Sequence, residues 1–164
     1  MRIFAALLMF LVAMPLSAQE AVTLYWEDLL PVNEEAVRER LADSKQVVEP
    51  QDSGAAGDNS FLIVSALDGH RVKLPGFIVP LEFSADGKLS DFLFVPYQGA
   101  CIHEPPPPPN QVVHAKSPKP QEFPNLWTPV WLTGIMSTEQ YLNYLGDAAY
   151  TMEIESWKLY TGPE

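Results

Sequence analysis

The chain has 164 residues, 47% of them hydrophobic, which suits one domain with a core large enough to fold alone. Ten basic against 21 acidic side chains give a formal charge of −11. That balance repels phosphate backbones and anionic membrane surfaces and excludes the basic stripe of a nucleic-acid binder; it attracts divalent cations or a basic protein face, although solubility is the commoner reason for it.

Residues 1–18 read as a signal peptide. Arg2 supplies the positive n-region, residues 3–14 an apolar run too short to span a bilayer comfortably, and Pro15-Leu16-Ser17-Ala18 a cleavage region. Leu16 at the −3 position leaves retention as an anchor open. The absence of a cysteine near the cut argues against lipid attachment there. Residues 19–164 are then expected as a single exported domain, soluble in the periplasm, without direct membrane insertion after cleavage.

Residues 19–32 form an N-terminal arm. Asn33 is placed to cap a short helix with Glu34 and Glu35 in its first turn, and Val37 and Leu41 fall on one face. Residues 51–59 read as a loop. Residues 61–66 are an apolar run with strand character, Asp68-Gly69 is a turn signal, and residues 70–74 return as a second strand. Residues 76–83 form a strand in which Pro80 requires an edge or a bulge. Asp86-Gly87 makes a second hairpin turn, and residues 91–95 are the returning strand.

Beyond the loop at 96–111, residues 112–115 are a brief strand, 116–125 a polar connection and 128–135 another strand. Ser137-Thr138-Glu139-Gln140 matches a capping box, which predicts a helix over 138–145 ended by Gly146. Tyr150, Met152 and Ile154 alternate as the last strand, and its phase slips near Ser156, which a bulge would explain. Five or six strands with tight hairpins predict a mainly β fold, a small OB-fold-like β-barrel with one or two short helices. An incomplete sandwich is the structural alternative.

Residues 96–111 carry the most distinctive chemistry. Cys101, the only cysteine, stands two residues from His103, one of three histidines. One cysteine cannot close an internal disulfide, and an exposed thiol outside the cytoplasm is liable to oxidation. Thiolate and imidazole are ligands for zinc and also for copper, and at i, i+2 in an extended segment they face the same side. Glu104 and His114 are candidates to complete the set, and His70 is the remaining imidazole. A Cys-x-His pair by itself is a sparse ligand set. Equally open is Cys101 as a small buried core residue, with His103 bonded to a backbone carbonyl.

Pro105, Pro106, Pro107, Pro108 and Pro109 form a stiff, donor-free strut. With Tyr97, Asn110 and Gln111 it is a candidate partner-binding surface. The favoured reading instead packs the strut into an internal groove made by Tyr97, Phe123, Trp127 and Trp131. A thiol enzyme built on Cys101 with His103 or His114 has no orienting group beyond Glu104 and Asn110 and no oxyanion hole that the sequence reveals, so no enzymatic activity is expected.

Three stretches together carry a resemblance: Gly76-Phe77-Ile78-Val79-Pro80-Leu81-Glu82, Phe92-Leu93-Phe94-Val95-Pro96-Tyr97, and the long segment from Gly99 through Cys101, His103 and the five prolines to Gln111. They resemble the exported bacterial family known as domain of unknown function 3299. The resemblance implies an OB-like fold and an exported or lipid-anchored envelope protein. It further implies a link to zinc supply, since some members are encoded beside a transporter under zinc-responsive control. The resulting expectation is a non-catalytic periplasmic accessory or binding protein tied to an envelope metal-transport system. Its partner would be a transporter or a periplasmic metal-binding protein, with zinc, or copper in its place, as the bound cation. The alternative is a structural adaptor that docks a partner through the Cys-x-His loop and the proline run without metal.

Overall fold

Thirteen residues of one strand, Arg71–Phe83, organise the molecule. A computed structural model describes residues 20–44, 46, 61–100 and 106–163. Among the described residues the strands are β1 (Val22–Thr23), β2 (Arg71–Phe83), β3 (Leu89–Val95), β4 (Val113–Gln121), β5 (Val130–Ser137) and β6 (Tyr150–Leu159), with one α-helix, α1 (Glu34–Asp43), before the barrel. The first half of β2 pairs antiparallel with β5, from Arg71↔Ile135 to Gly76↔Val130. The second half pairs antiparallel with β3, starting at Phe77↔Val95. One strand therefore serves two neighbours, and the sheet closes in the order β2-β3-β4-β6-β5 and back to β2, with β1 added alongside β2. The β4–β6 pairing is parallel. This is the small OB-like barrel expected from the sequence.

Gly76 stands where β2 changes partners. A Cβ there would meet the Val95 carbonyl oxygen at 2.6 Å and the Phe94 ring at 2.9 Å, so only glycine lets the strand pass this close. Both expected bulges are present. Pro80 faces Phe92 and Glu82 faces Asp91, so Leu81 is the extra residue beside the proline. Thr133 faces Ser156 and Gly134 faces Ile154, which leaves Glu155 unopposed and explains the phase slip. Freed from the ladder, the Glu155 carboxylate accepts from Arg71 Nε at 2.7 Å.

The barrel interior is apolar. Val72, Leu74 and Ile78 of β2 meet Phe92, Phe94, Val113, Ala115, Leu132, Met136, Tyr150, Met152 and Ile154. Val37 and Leu41 of α1 join this core, as their spacing predicted. The Asn33 side chain makes no cap bond; its amide donates to the Glu27 carbonyl at 2.6 Å and braces the arm. The buried Asp28 carboxylate accepts from the Tyr25 N–H at 2.8 Å and from Arg40 Nη1 at 3.0 Å, tying arm to helix.

Three sequence expectations about the strands are corrected. Residues 61–66 form no strand: Val64 and Leu67, three apart, are both buried at a 3₁₀ turn over Ser65–Leu67, and a three-residue spacing suits a turn rather than a strand. Asp68-Gly69 therefore leads into β2 and closes no hairpin, and residues 70–74 and 76–83 are one continuous strand. β4 continues to Gln121, where a connection was expected; Pro118 and Pro120 fall beyond its ladder with β6, where a missing donor costs little.

The predicted helix over 138–145 does not form. Asp68 takes over the capping groups, accepting from the Thr138 N–H at 2.9 Å and the Thr138 hydroxyl at 3.2 Å. Residues 138–149 are instead a loop closed by a bridge between Tyr141 and Ala148. Tyr141 and Leu145 pack on the barrel while Leu142 and Tyr144 are 69% and 91% exposed, so the segment buries its apolar residues without forming a short helix that would be marginal alone. Among the described residues no helix is long and apolar enough to cross a membrane.

Candidate functional site

A second, smaller apolar cluster lies on the outer face of the barrel. Val79, Leu93, Val95, Ala100, Val112 and Ala148 form it, with Phe77, Leu81, Tyr141 and Leu145 packed against them. Strand alternation builds it: Phe92 and Phe94 point into the barrel, so Leu93 and Val95 point out. The loop over 138–149 lies across this face through Tyr141 and Leu145. Ala100 and Val112, which bracket the Cys-x-His and proline segment, are both fully buried in the same cluster.

His114 follows Val112 by two residues on the same face. It is opposite Leu93 on β3 and Thr151 on β6. It is completely buried. Its Nε2 lies 2.7 Å from Asp91 Oδ1, and its ring stacks on Tyr141 with centroids 3.5 Å apart and planes 16° apart. The Nδ1 atom is closed off from solvent and has no hydrogen-bond partner among the described residues. Burial holds the His114 pKa below the ordinary imidazole value, against the opposing pull of the Asp91 carboxylate. An ionised carboxylate only accepts, so Nε2 carries the proton and Nδ1 of the neutral ring presents a lone pair.

An open cavity of about 310 Å³ lies beside these strands, lined by Lys116, Ser137, Glu139, Thr151 and Glu153 among others. The Thr151 hydroxyl donates to the Glu139 carbonyl at 3.0 Å, which joins the covering loop to β6 next to His114.

Of the residues singled out in the sequence, Cys101, His103, Glu104 and Pro105 lie outside the described residues. His114 lies on the outer face beside the points where their loop leaves and rejoins the barrel. His70 is held by its own turn, its Nδ1 3.0 Å from the Asp68 carbonyl. Among the described residues no three His, Cys, Asp or Glu side chains are grouped to hold a metal. Asp91 and Tyr141, the immediate neighbours of His114, were not singled out. The one sequence signal for Asp91 is a carboxylate opening an otherwise apolar strand, and its partner depends on the β3–β4 register.

The described part of the proline segment is fastened to the chain itself. Pro107 is buried while Pro106 and Pro108 are exposed. Pro109–Gln111 make a 3₁₀ turn whose Pro109 carbonyl accepts from the Ala149 N–H at 2.9 Å. Asn110 donates to the Leu62 carbonyl at 3.1 Å, and Gln111 to the Trp26 carbonyl at 2.9 Å. Two of the four aromatics expected to line a groove for the prolines pack elsewhere among the described residues. Trp131 packs with Tyr25 and Tyr160, whereas Phe123 packs with Phe92 and Trp157. Tyr97 and Trp127 are exposed.

Fold and site thus define a closed OB-like barrel that carries a covered polar pair on its outer face. Residues 26–159 match the family described as protein of unknown function, DUF3299. The chain belongs to that family, as its motif segments suggested. It is similar to the crystal structure of a DUF3299 family protein from Pseudomonas aeruginosa PAO1, with 34% identity and a TM-score of 0.66, over 88% of this chain and 99% of that one. None of the curated proteins compared with the chain matches it.

Proposed function

We propose that this chain is a non-catalytic, periplasmic accessory or binding protein of an envelope metal-supply system, taking zinc or, in its place, copper. Cys101 and His103 are the principal ligands or contact residues, and Glu104 and His114 support them. The observation that carries this reading is the convergence of the loop's ends: Ala100 and Val112 are buried in one cluster, on the face that holds His114. A thiolate and an imidazole on that loop, with an uncommitted imidazole nitrogen beside its base, are donors suited to a borderline or soft cation. The acidity of the chain favours a cation and, as protein partner, a transporter or metal carrier with a basic face.

Metal analysis and calorimetry of the purified chain test the reading. Stoichiometric zinc or copper, with proton release on binding and strong weakening by Cys101→Ser and His103→Ala, is expected. A chain that binds neither metal overturns it and leaves the metal-free adaptor. Export is tested separately: mass spectrometry of the envelope fraction should find a chain beginning near Gln19, and an intact Met1 terminus in a cytoplasmic pool would rule out the periplasmic assignment.

A further inference from the structure

We propose that the outer edge of β1, where it faces the end of α1, is a docking site for an extended basic peptide segment of a partner protein, which adds to the sheet as a further strand. The proposal does not rest on the metal reading, since none of its residues is among the proposed ligands.

β1 is the edge of the sheet and pairs with β2 alone. Val22 lies opposite Val72 and Thr23 opposite Lys73, in parallel register. The Leu24 N–H donates to the Lys73 carbonyl at 2.8 Å. Backbone groups alternate sides along a strand, so those of Val22 also face β2, and those of Ala21 and Thr23 face away from it. On that outer side the Thr23 carbonyl takes one long bond, from Arg40 Nη1 at 3.4 Å. Among the described residues nothing bonds the Thr23 N–H or the N–H and carbonyl of Ala21.

The unpaired edge forms one wall of an open groove of about 520 Å³. Residues 20–23 line one side, and Arg40, Asp43 and Ser44 at the end of α1 line the other. A row of free main-chain donors and acceptors beside a helix is met as a row only by another backbone. Domains that bind peptides by strand addition use this chemistry: main-chain bonds give affinity and the flanking side chains give specificity.

Charge selects the occupant. Arg40 is committed to the buried Asp28 carboxylate, with Nη1 at 3.0 Å. Glu20 and Asp43 have no ion-pair partner among the described residues. Asp43 also ends α1, where the helix dipole is negative and a cation is favoured. Lysine or arginine side chains on the incoming segment supply the charge that this groove lacks, in a chain of formal charge −11.

A nitrogen-15 NMR titration of the purified chain without metal tests the site. The probe is a capped six-residue peptide of alternating lysine and valine. Amide resonances of Ala21, Thr23, Asp43 and Ser44 are expected to shift saturably, and amide exchange at Thr23, fast in the free chain, should slow on binding. The same peptide with glutamate for lysine should bind at least about tenfold more weakly, because like charges then meet. N-methylation of every second amide of the lysine peptide, in one of its two phases, should abolish binding by removing the N–H groups that face the edge. Glu20 and Asp43 are exposed, so Glu20→Gln with Asp43→Asn is expected to keep the fold and to weaken binding about 2–10-fold. Absent shifts, equal binding of the lysine and glutamate peptides, or indifference to N-methylation in both phases would each overturn the proposal. Slow exchange at Thr23 in the free chain would overturn it too, since another part of the chain would then already pair with this edge.

Discussion

The phenol of Tyr150, in the last strand, donates to the carbonyl of Leu29, 121 residues earlier, at 2.9 Å. The same oxygen accepts from the Val64 N–H at 2.7 Å. Tyr150 is fully buried, and burial pushes its pKa up, so it stays a neutral phenol able to make both bonds. One side chain inside the barrel therefore fastens the N-terminal arm and the segment before β2 to β6. Tyr150→Phe keeps the ring and removes both bonds, stranding a buried N–H and a buried carbonyl. Each stranded group costs about 1–3 kcal/mol. Chemical denaturation should show the loss, and amide exchange at Val64 should accelerate. Unchanged stability would mean that water replaces the phenol.

Two glycines separate close approach from backbone strain. A Cβ on Gly134 would sit 2.2 Å from the Glu153 carbonyl oxygen, at the β5–β6 bulge. Gly87, in the β2–β3 hairpin, has φ +78°, and a methyl group added there would meet nothing within 4 Å. Gly87→Ala should cost only the left-handed backbone penalty, about 1–2 kcal/mol. Gly134→Ala forces backbone apart and should lower stability by about 3 kcal/mol or more, at or beyond the upper end for overpacking. Equal melting temperatures for the two variants would contradict the close packing at the bulge.

The buried imidazole has a pH signature. His114 is held below the ordinary value of 6.5 when folded, chiefly by burial. The unfolded chain therefore takes up the proton more readily, and stability rises with pH through this interval. The contribution is fully present above the ordinary value and is lost as pH falls through the folded one. Among the described residues, Asp91, Lys116 and Glu139 are the charged groups acting on the ring. Urea midpoints measured from about pH 7.5 to about pH 5 should fall, and His114→Gln should flatten that part of the profile. An unaltered slope in the variant would assign the dependence to other groups.

The proline strut makes a graded prediction. Pro107 is buried, and Pro106 and Pro108 are exposed. Replacing either exposed proline by alanine should cost about 0.4–1 kcal/mol, through the greater entropy of the unfolded chain. Pro107→Ala should cost more, because buried apolar contact is lost as well. Denaturation of the three variants checks the order, and a Pro107→Ala loss no larger than its neighbours' would remove any packing role for that ring.

Local chemistry was legible in the sequence where the decisive interactions are short-range. Pro80 announced an edge or a bulge because it lacks a donor, Asp86-Gly87 announced a hairpin because the turn needs a positive φ, and Val37 with Leu41 announced the buried face of α1. The slip at Ser156 was visible as a break in alternation. The capping box at Ser137 was misleading for the same reason: it is a local pattern, and a carboxylate 70 residues away, on Asp68, binds Thr138 in its place. The candidate site was half legible. His114 was named as a ligand candidate, but Asp91 and Tyr141 were not, since nothing near His114 in the chain indicates which strand will lie beside it.

By itself the sequence determined the period-two strands, the turns, the breaks in the ladder and the family motif, because each depends on side-chain alternation, backbone φ or a run of adjacent residues. Only the tertiary structure decided that β2 serves two neighbours through Gly76, that the segment at 138–149 stays a loop, and that His114 is buried between Asp91 and Tyr141. Those outcomes depend on strand register and barrel closure, which bring residues 23 and 27 positions from His114 against its ring, and register is a property of the assembled sheet.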